Sequence, residues 1–324
     1  MTESVARASA KAGNMMTEKL KIYTRDGNGF PAGSRTVLAL GTFDGVHIAH
    51  ASLLEMAREL RERLSCDLVG AWCFFAPPLA SLTGTEVPQL TATDEKVRKL
   101  LDFGLDFVAV ADFNEFKDVS AEDFVNHVLC DQLGCAGAVC GFNHRFGKGG
   151  SGDASLLTSL LGEGNVISVS EISYGGETVS STAIRRHITL GSIETANAML
   201  GYPFALHAEV IQGKHLGRKL HFPTANMEFP MGSVIPKRGV YATVCKIDGK
   251  SYVGVSNVGI RPSVSDNHRV NCETYIIDFD RFIYGQKITV EFHKYLRDEQ
   301  KFESLDDLKE QIKRDRDAAI SYFS

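Results

Sequence analysis

Hydrophobic residues recur in two different rhythms along the chain. Between Arg35 and about Ser180, short apolar runs alternate with stretches of helical period. From Phe204 to Tyr295 the runs are separated by turn signals such as Asp248-Gly249 and Tyr284-Gly285, and helical period is almost absent. The first rhythm is that of a parallel sheet layered by helices, the second that of antiparallel strands. In the first region strands are expected at residues 36–40, 68–74, 107–110, 136–140 and 166–171. A helix is expected after Thr93 or Asp94, stopping at Gly104. Another opens on Ser120-Ala-Glu-Asp123, an N-capping signature, and stops at Gly134.

The rhythm changes near Gly191. A short helix over residues 192–200 ends at Gly201, and Tyr202-Pro203 leads into β-rich runs at 240–247, 252–255, 273–279 and 287–292. Antiparallel strands so spaced predict a small closed barrel. A last helix starts at the capping box Ser304-Leu-Asp-Asp307 and aligns Leu305, Leu308, Ile312, Ala319 and Phe323 on one stripe, which would pack on the barrel. The expected fold class is α/β plus all-β. Residues 19–190 form a Rossmann-like parallel sheet with helices on both faces, 191–203 a linker helix, and 204–324 a small antiparallel β-barrel with a terminal helix. Residues 1–18 are small and polar, lack periodicity and contain Met15-Met16; they read as a disordered extension.

With 324 residues, 44% hydrophobic and 23% charged, the chain has the makeup of an ordinary globular protein with room for two cores. A net charge of -5 and a pI near 6.1 exclude a broad basic field. Nucleic acid is therefore not an expected partner, and an anionic small molecule must be held by local groups. No apolar run approaches the roughly 20 residues a membrane helix needs, and the N-terminus lacks a signal-peptide core. A cytoplasmic protein, monomeric or weakly homo-oligomeric and without a membrane partner, is expected. The seven cysteines lie mainly in apolar company, as in Trp72-Cys73-Phe74, and read as reduced core thiols. Cys130, Cys135 and Cys140 are evenly spaced, but no fourth ligand completes a metal site.

Two segments carry chemistry. In the first, a buried strand runs through Gly41-Thr-Phe-Asp-Gly45 into His47 and His50, three apart at the start of a helical pattern. That spacing puts both imidazoles on one face at a helix N-terminus, where free amides and the dipole favour phosphate. Two surface or capping histidines are the plain alternative. In the second, Gly213-Lys-His-Leu-Gly-Arg-Lys-Leu-His-Phe-Pro-Thr-Ala-Asn226 joins a basic, glycine-bearing loop to a hydroxyl and an amide oxygen. These can meet phosphates and Mg2+, although a basic hairpin loop has the same composition.

GTFDGVHIAH resembles the GxFDGVHxGH signature of the nucleotidyltransferase module in bacterial bifunctional riboflavin kinase/FAD synthetases. Cys140-Gly-Phe-Asn-His-Arg-Phe-Gly147 is similar to that family's VGxNFxFG segment, and Ser180-Ser-Thr-Ala-Ile-Arg185 to its SSTxIR motif. The resemblance implies that the N-terminal half converts FMN and ATP to FAD and pyrophosphate. It places His47 and His50 at the ATP phosphates as catalytic groups. Gly41, Phe43 and Asp44 would line the site, Asn143 would lie by the substrate phosphate or nucleotide, and Ser181, Thr182 and Arg185 by the triphosphate. The chain departs from the family at Ala49, at Phe74-Phe-Ala-Pro-Pro78 where FDPHP is usual, and at Gly150 where arginine is common.

GRKLHFPTAN likewise resembles the riboflavin kinase motif GRxLGFPTAN. It is followed in family order by Arg238-Gly-Val-Tyr-Ala242, Ser256-Asn-Val-Gly-Ile-Arg-Pro-Ser263, Cys272-Glu-Thr-Tyr-Ile-Ile-Asp-Phe279 and Leu296-Arg-Asp-Glu-Gln-Lys-Phe302. The resemblance implies phosphorylation of riboflavin to FMN by ATP. Thr224 and Asn226 would hold Mg2+ and phosphate, and Glu273 would act as general base on the ribityl 5'-hydroxyl. Arg297 would lie near the flavin, Gly217 and Arg218 in a phosphate-covering flap, and Tyr241 and Asn257 at ligand-binding positions. From strand alternation alone, with Cys272 and Thr274 on either side, an outward-facing carboxylate is the plain alternative for Glu273. His221 and Ser263 depart from the motifs. Three readings remain open at this level: a bifunctional enzyme, a riboflavin kinase with a degenerate N-terminal module, and a non-enzymatic flavin-binding protein.

Overall fold

The computed structural model describes residues 20–78, 81, 84–212, 222–260 and 270–324. Residues 1–18, the flap positions Gly217 and Arg218, and the departures His221 and Ser263 lie outside the described residues. The chain divides into two compact units between Val179 and Ser180.

The first unit is built on β1 (Leu20–Thr24), β2 (Thr36–Leu40), β3 (Leu68–Phe74), β4 (Phe107–Ala111), β5 (Cys135–Gly141) and β6 (Val166–Val169). They form one sheet in the order β1-β4-β3-β2-β5-β6, parallel except for the antiparallel edge strand β1. Alternation divides the strand residues between two cores. Val37 and Ala39 pack with Leu54 and Leu60 of α1 (Ile48–Arg63) and with Val97 and Leu100 of α2 (Thr93–Asp102). Leu38 and Leu40 face the opposite core. There Phe116 of α3 (Phe113–Phe116) and Leu157 of α5 (Ala154–Leu161) join Phe124 and Leu129, which follow α4 (Ala121–Asp123) on a wider π-helical stretch. The doubly layered parallel sheet expected from the sequence is the observed one. Edge strand β1 was not foreseen: its residues are only half-buried, so no alternation marks it. The short hairpin β7 (Ser173–Tyr174) and β8 (Glu177–Thr178) ends the unit.

The second unit opens with α6 (Ser181–Leu190), capped by the Ser180 hydroxyl accepting from the Ala183 amide at 3.2 Å, and α7 (Ile193–Leu200). Asn197 of α7 bonds the sheet on both sides of its amide, donating to Phe292 carbonyl at 2.7 Å and accepting from Phe204 amide at 2.8 Å. The sheet comprises β9 (Phe204–Glu209), β10 (Thr224–Glu228), β11 (Gly239–Ile247), β12 (Lys250–Ile260), β13 (Val270–Ile276) and β14 (Lys287–Arg297), in the order β10-β13-β12-β11-β14-β9. Every pairing is antiparallel, and a bridge from Ile211 to Asn226, N···O 2.8 Å, carries the chain beyond β9 back to β10. The sheet thus curls toward the expected barrel. Its inner face carries a fully buried chain of hydroxyls, Thr243 to Ser256 at 2.9 Å and Ser256 to Thr274 at 2.8 Å. Each hydroxyl satisfies another, so burial leaves none unpaired. Helix α8 (Leu305–Phe323) packs Ala319 and Phe323 on the outer face against Val240, Ala242 and Val255. Leu305, expected in that stripe, is 59% exposed instead, because it occupies the first helical position beyond Ser304.

All seven cysteines are free, and six are buried. Burial pushes the thiols of Cys73, Cys140 and Cys272 up to about 11, so they stay protonated as core residues.

Candidate active sites

In the first unit β2 pairs with β3 on one side and β5 on the other. The chain winds outward in opposite directions from this point, leaving the crevice at the strand carboxyl ends where α/β sheets bind ligands. Gly41 stands just beyond β2, and Asn143 just beyond β5, its Oδ1 3.7 Å from where a Cβ on Gly141 would lie. Between β2 and α1 the backbone takes positive φ at Phe43 (51°), Gly45 (85°) and Val46 (35°). For the two non-glycine residues this costs roughly 1–3 kcal/mol each. The turn is held by what surrounds it. Phe43 is fully buried, and a Cβ on Gly41 would meet its ring at 3.2 Å. Asp44, 4% exposed, accepts from the amides of Leu90 at 3.0 Å and Thr91 at 3.2 Å, and Thr91 Oγ1 accepts from Gly45 amide at 3.2 Å. Asp44 therefore pins the turn to the 84–92 segment.

That turn delivers the two histidines. His47 is the N-cap of α1, its Nδ1 accepting from the His50 amide at 3.4 Å. The rings stack with centroids 3.6 Å apart, and Phe43 lies 4.9 Å from His50. Nδ1 of His50 is buried without a hydrogen-bond partner. Burial first, then the neighbouring His47 and Lys96, hold His50 well below the usual imidazole value, so it is uncharged near neutrality. Asn143 is exposed, and the neighbouring His144 is driven down to about 4 by burial. Ser181, Thr182 and Arg185 lie on the first turns of α6, in the second compact unit.

In the second unit, strand register assembles the site. Asn226, Glu273, Asn257, Val240 and Arg297 are successive Cα partners across β10, β13, β12, β11 and β14. Residues on one rung share a face, so the polar members point outward together while Cys272 and Thr274 point inward. Glu273, Asn257, Val240 and Arg297 border a cleft of about 350 Å3 between the sheet and α8, which Thr224, Tyr275, Phe302 and Ile312 also line. Glu273 is half-buried and accepts from Asn271 Nδ2 at 3.2 Å. Asn257 donates to Glu299 at 3.4 Å. Arg297 is fixed by Asp315 of α8: Nε lies 2.9 Å from Oδ1 and Nη2 2.7 Å from Oδ2, while Gln311 donates to Oδ1 at 2.9 Å. Asp315 is 5% exposed, so this planar two-point pair is largely withdrawn from water and rigid.

Asn226 Nδ2 is 3.4 Å from Thr224 Oγ1, two residues away on the same face of β10. Thr224 also lines a second cleft of about 550 Å3, walled by Phe279, Phe282 and Tyr284. Phe282 is 77% exposed and meets Tyr284 edge to face at 4.8 Å. Two clefts thus share one lining residue, Thr224. Tyr241 does not belong with these residues: it is fully buried on the inner face, its hydroxyl donating to the Lys237 carbonyl at 2.5 Å. Sequence reading missed Asp315 and Lys96. Each stands in an otherwise apolar helical stripe, with Ile312 and Ala319 or with Val97 and Leu100, and a charge in that position is the signal that marks it.

An α/β unit with a phosphate-type helix start, and a second unit whose curled β-sheet carries two clefts sharing a threonine, have the features of a transferase with a site in each unit. Comparison with known proteins narrows the class. The FAD synthetase family model matches residues 31–183, and the riboflavin kinase model residues 200–323. A Listeria monocytogenes bifunctional riboflavin kinase/FMN adenylyltransferase is 33% identical over 292 residues, covering 89% of this chain and 92% of its own. Relatives of the same description from Bacillus subtilis and Escherichia coli are 32% and 35% identical, covering 90% and 89% of this chain and 93% and 92% of theirs. The chain belongs to the bifunctional riboflavin kinase/FMN adenylyltransferase family. A crystal structure of a Streptococcus pneumoniae protein described as a macrolide-efflux protein shares the fold with a TM-score of 0.82 at 28% identity, covering 91% of this chain and 96% of that one. Among the described residues no helix is long and apolar enough to cross a membrane.

Proposed function

We infer that the protein phosphorylates riboflavin to FMN in its C-terminal half and adenylylates FMN to FAD in its N-terminal half, with ATP as co-substrate of both steps. Matches to both halves favour this reading over a kinase with a degenerate partner module. The observation that carries the kinase assignment is the pair of clefts sharing Thr224, with Glu273 on the wall of one of them. Riboflavin would lie in the cleft beside Arg297 and Tyr275, and the nucleotide beside Phe282 and Tyr284. Glu273 accepts the proton of the ribityl 5'-hydroxyl as that oxygen attacks the γ-phosphorus, and ADP departs.

Thr224 and Asn226 offer neutral oxygens, and no group of three His, Cys, Asp or Glu among the described residues could hold a metal ion. Such donors suit Mg2+ that shares its coordination with substrate phosphates, and the bound ion would offset charge on them. Asn226→Ala is expected to raise the Mg2+ concentration giving half-maximal kinase rate by about tenfold while leaving FAD formation from FMN unaltered. An unchanged Mg2+ dependence of the kinase step, measured by titration, would exclude Asn226 as a ligand.

In the adenylyl step the FMN phosphate attacks the α-phosphorus and pyrophosphate leaves. His47 and His50 would hold the phosphates beside the first amides of α1, so alignment rather than a protein nucleophile drives the reaction. We assign residues 19–190 to this activity, 191–203 to the linker and 204–324 to the kinase, with Ser181, Thr182 and Arg185 contributing to triphosphate binding. The seven unpaired thiols suit a cytoplasmic setting.

A further inference from the structure

Helix α2 carries a buried lysine that the steps above do not use. Lys96 is 4% exposed, and its ammonium donates to the carbonyl of Phe74 at 2.5 Å and of Thr42 at 3.4 Å. These carbonyls stand at the end of β3 and just beyond β2, beneath the histidine turn. Among the described residues no carboxylate pairs with it. Asp44 binds the amides of Leu90 and Thr91, and the segment after β3, Phe75-Ala-Pro-Pro78, carries no charge. Withdrawing a charge from water with no opposite charge beside it is unfavourable even where carbonyls solvate it, and a buried charge at a cleft marks a candidate ligand site.

A second feature at the same place also calls for an anion. Nδ1 of His50 is buried and unpartnered, and the first amides of α1 have no acceptor within the helix. His50 is held uncharged by its burial, and Nδ1 of His47 is taken up by the His50 amide, so a fixed positive charge for a phosphate chain has to come from another group. Lys96 lies close enough to His50 to act on it electrostatically.

We propose that Lys96 is the fixed positive charge of the adenylyl-transfer site, a positioning residue whose ammonium offsets the charge of the nucleoside triphosphate chain and the departing pyrophosphate. Its two carbonyl bonds hold the crest of β2 and β3 under that chain. It exchanges no proton and forms no covalent bond. As the FMN oxygen bonds to the α-phosphorus, the α–β bridging bond breaks and its electron pair leaves on pyrophosphate, beside the ammonium. This inference rests on the adenylyltransferase reading of the N-terminal half.

The test uses the full-length protein and Lys96→Met, which keeps the length of the side chain and removes its charge. The variant is expected to lose about 100-fold in the rate of FAD formation from FMN and to bind inorganic pyrophosphate at least about tenfold more weakly by calorimetry. FMN formation from riboflavin should be unchanged, which separates a loss at the N-terminal site from general unfolding. Full retention of FAD synthesis and pyrophosphate affinity would overturn the proposal. Lys96→Gln, which keeps a donor for the carbonyls, separates charge from pinning: an undiminished loss supports the charge, and recovery of activity would overturn it. If the unaltered protein bound pyrophosphate yet made no FAD, the adenylyltransferase reading itself would fall, while the pyrophosphate comparison would still decide the role of Lys96.

Discussion

Glu273→Gln is expected to slow FMN formation from riboflavin by about a thousandfold and to leave FAD formation from FMN intact. The substitution preserves shape and can still accept from Asn271, whose amide reaches the carboxylate at 3.2 Å. It removes only the capacity to take a proton. The hydroxyl chain of Thr243, Ser256 and Thr274 lies on the other face of the sheet and is untouched, so folding should be preserved. The loss should fall on kcat, with KM for riboflavin little altered, because a proton acceptor acts in the transition state rather than in binding. An unchanged kinase rate would make Glu273 an outward-facing strand carboxylate without a role in the reaction.

The second large effect is expected at His47. His47→Ala should lower FAD formation by about 100-fold to 1,000-fold with FMN formation spared. This residue also caps α1, since its Nδ1 accepts the His50 amide, and loss of a cap costs about 1 kcal/mol. His47→Asn resolves the two contributions. Asparagine caps helices well but lacks the Nε2 donor, so an equal loss of FAD formation in both variants assigns the effect to phosphate binding. Recovery in His47→Asn would assign it to the cap. Equal loss of both activities in His47→Ala would contradict separate sites.

Much of the architecture could be read from the pattern of residues. β2 and β3 occupy the expected residues because their neighbours on both faces are buried, and continuous apolar runs leave little choice. Strand β1 was invisible because its half-exposed residues carry no contrast, and its place is set by pairing with β4 across the chain. β10 was expected only as the end of a basic loop, since Pro223 and Asn226 have low strand preference; pairing with β13 makes residues 224–228 a strand. In the candidate sites, motifs identified the residues that register later joined, such as Asn226, Glu273 and Asn257 on one rung. They could not reveal Asp315 behind Arg297 or Lys96 beneath the histidines, which depend on helix packing. Nor could they assign Tyr241, whose side of the sheet is fixed by register, to the inner face.

Chromatography of the flavins formed from purified protein, ATP and Mg2+ tests the central claim most directly, with riboflavin and FMN as alternative starting flavins. The expected result is FAD from both, with FMN appearing first when riboflavin is supplied. FMN as the sole product from riboflavin, with added FMN left unconverted, would contradict a working adenylyltransferase in the N-terminal half.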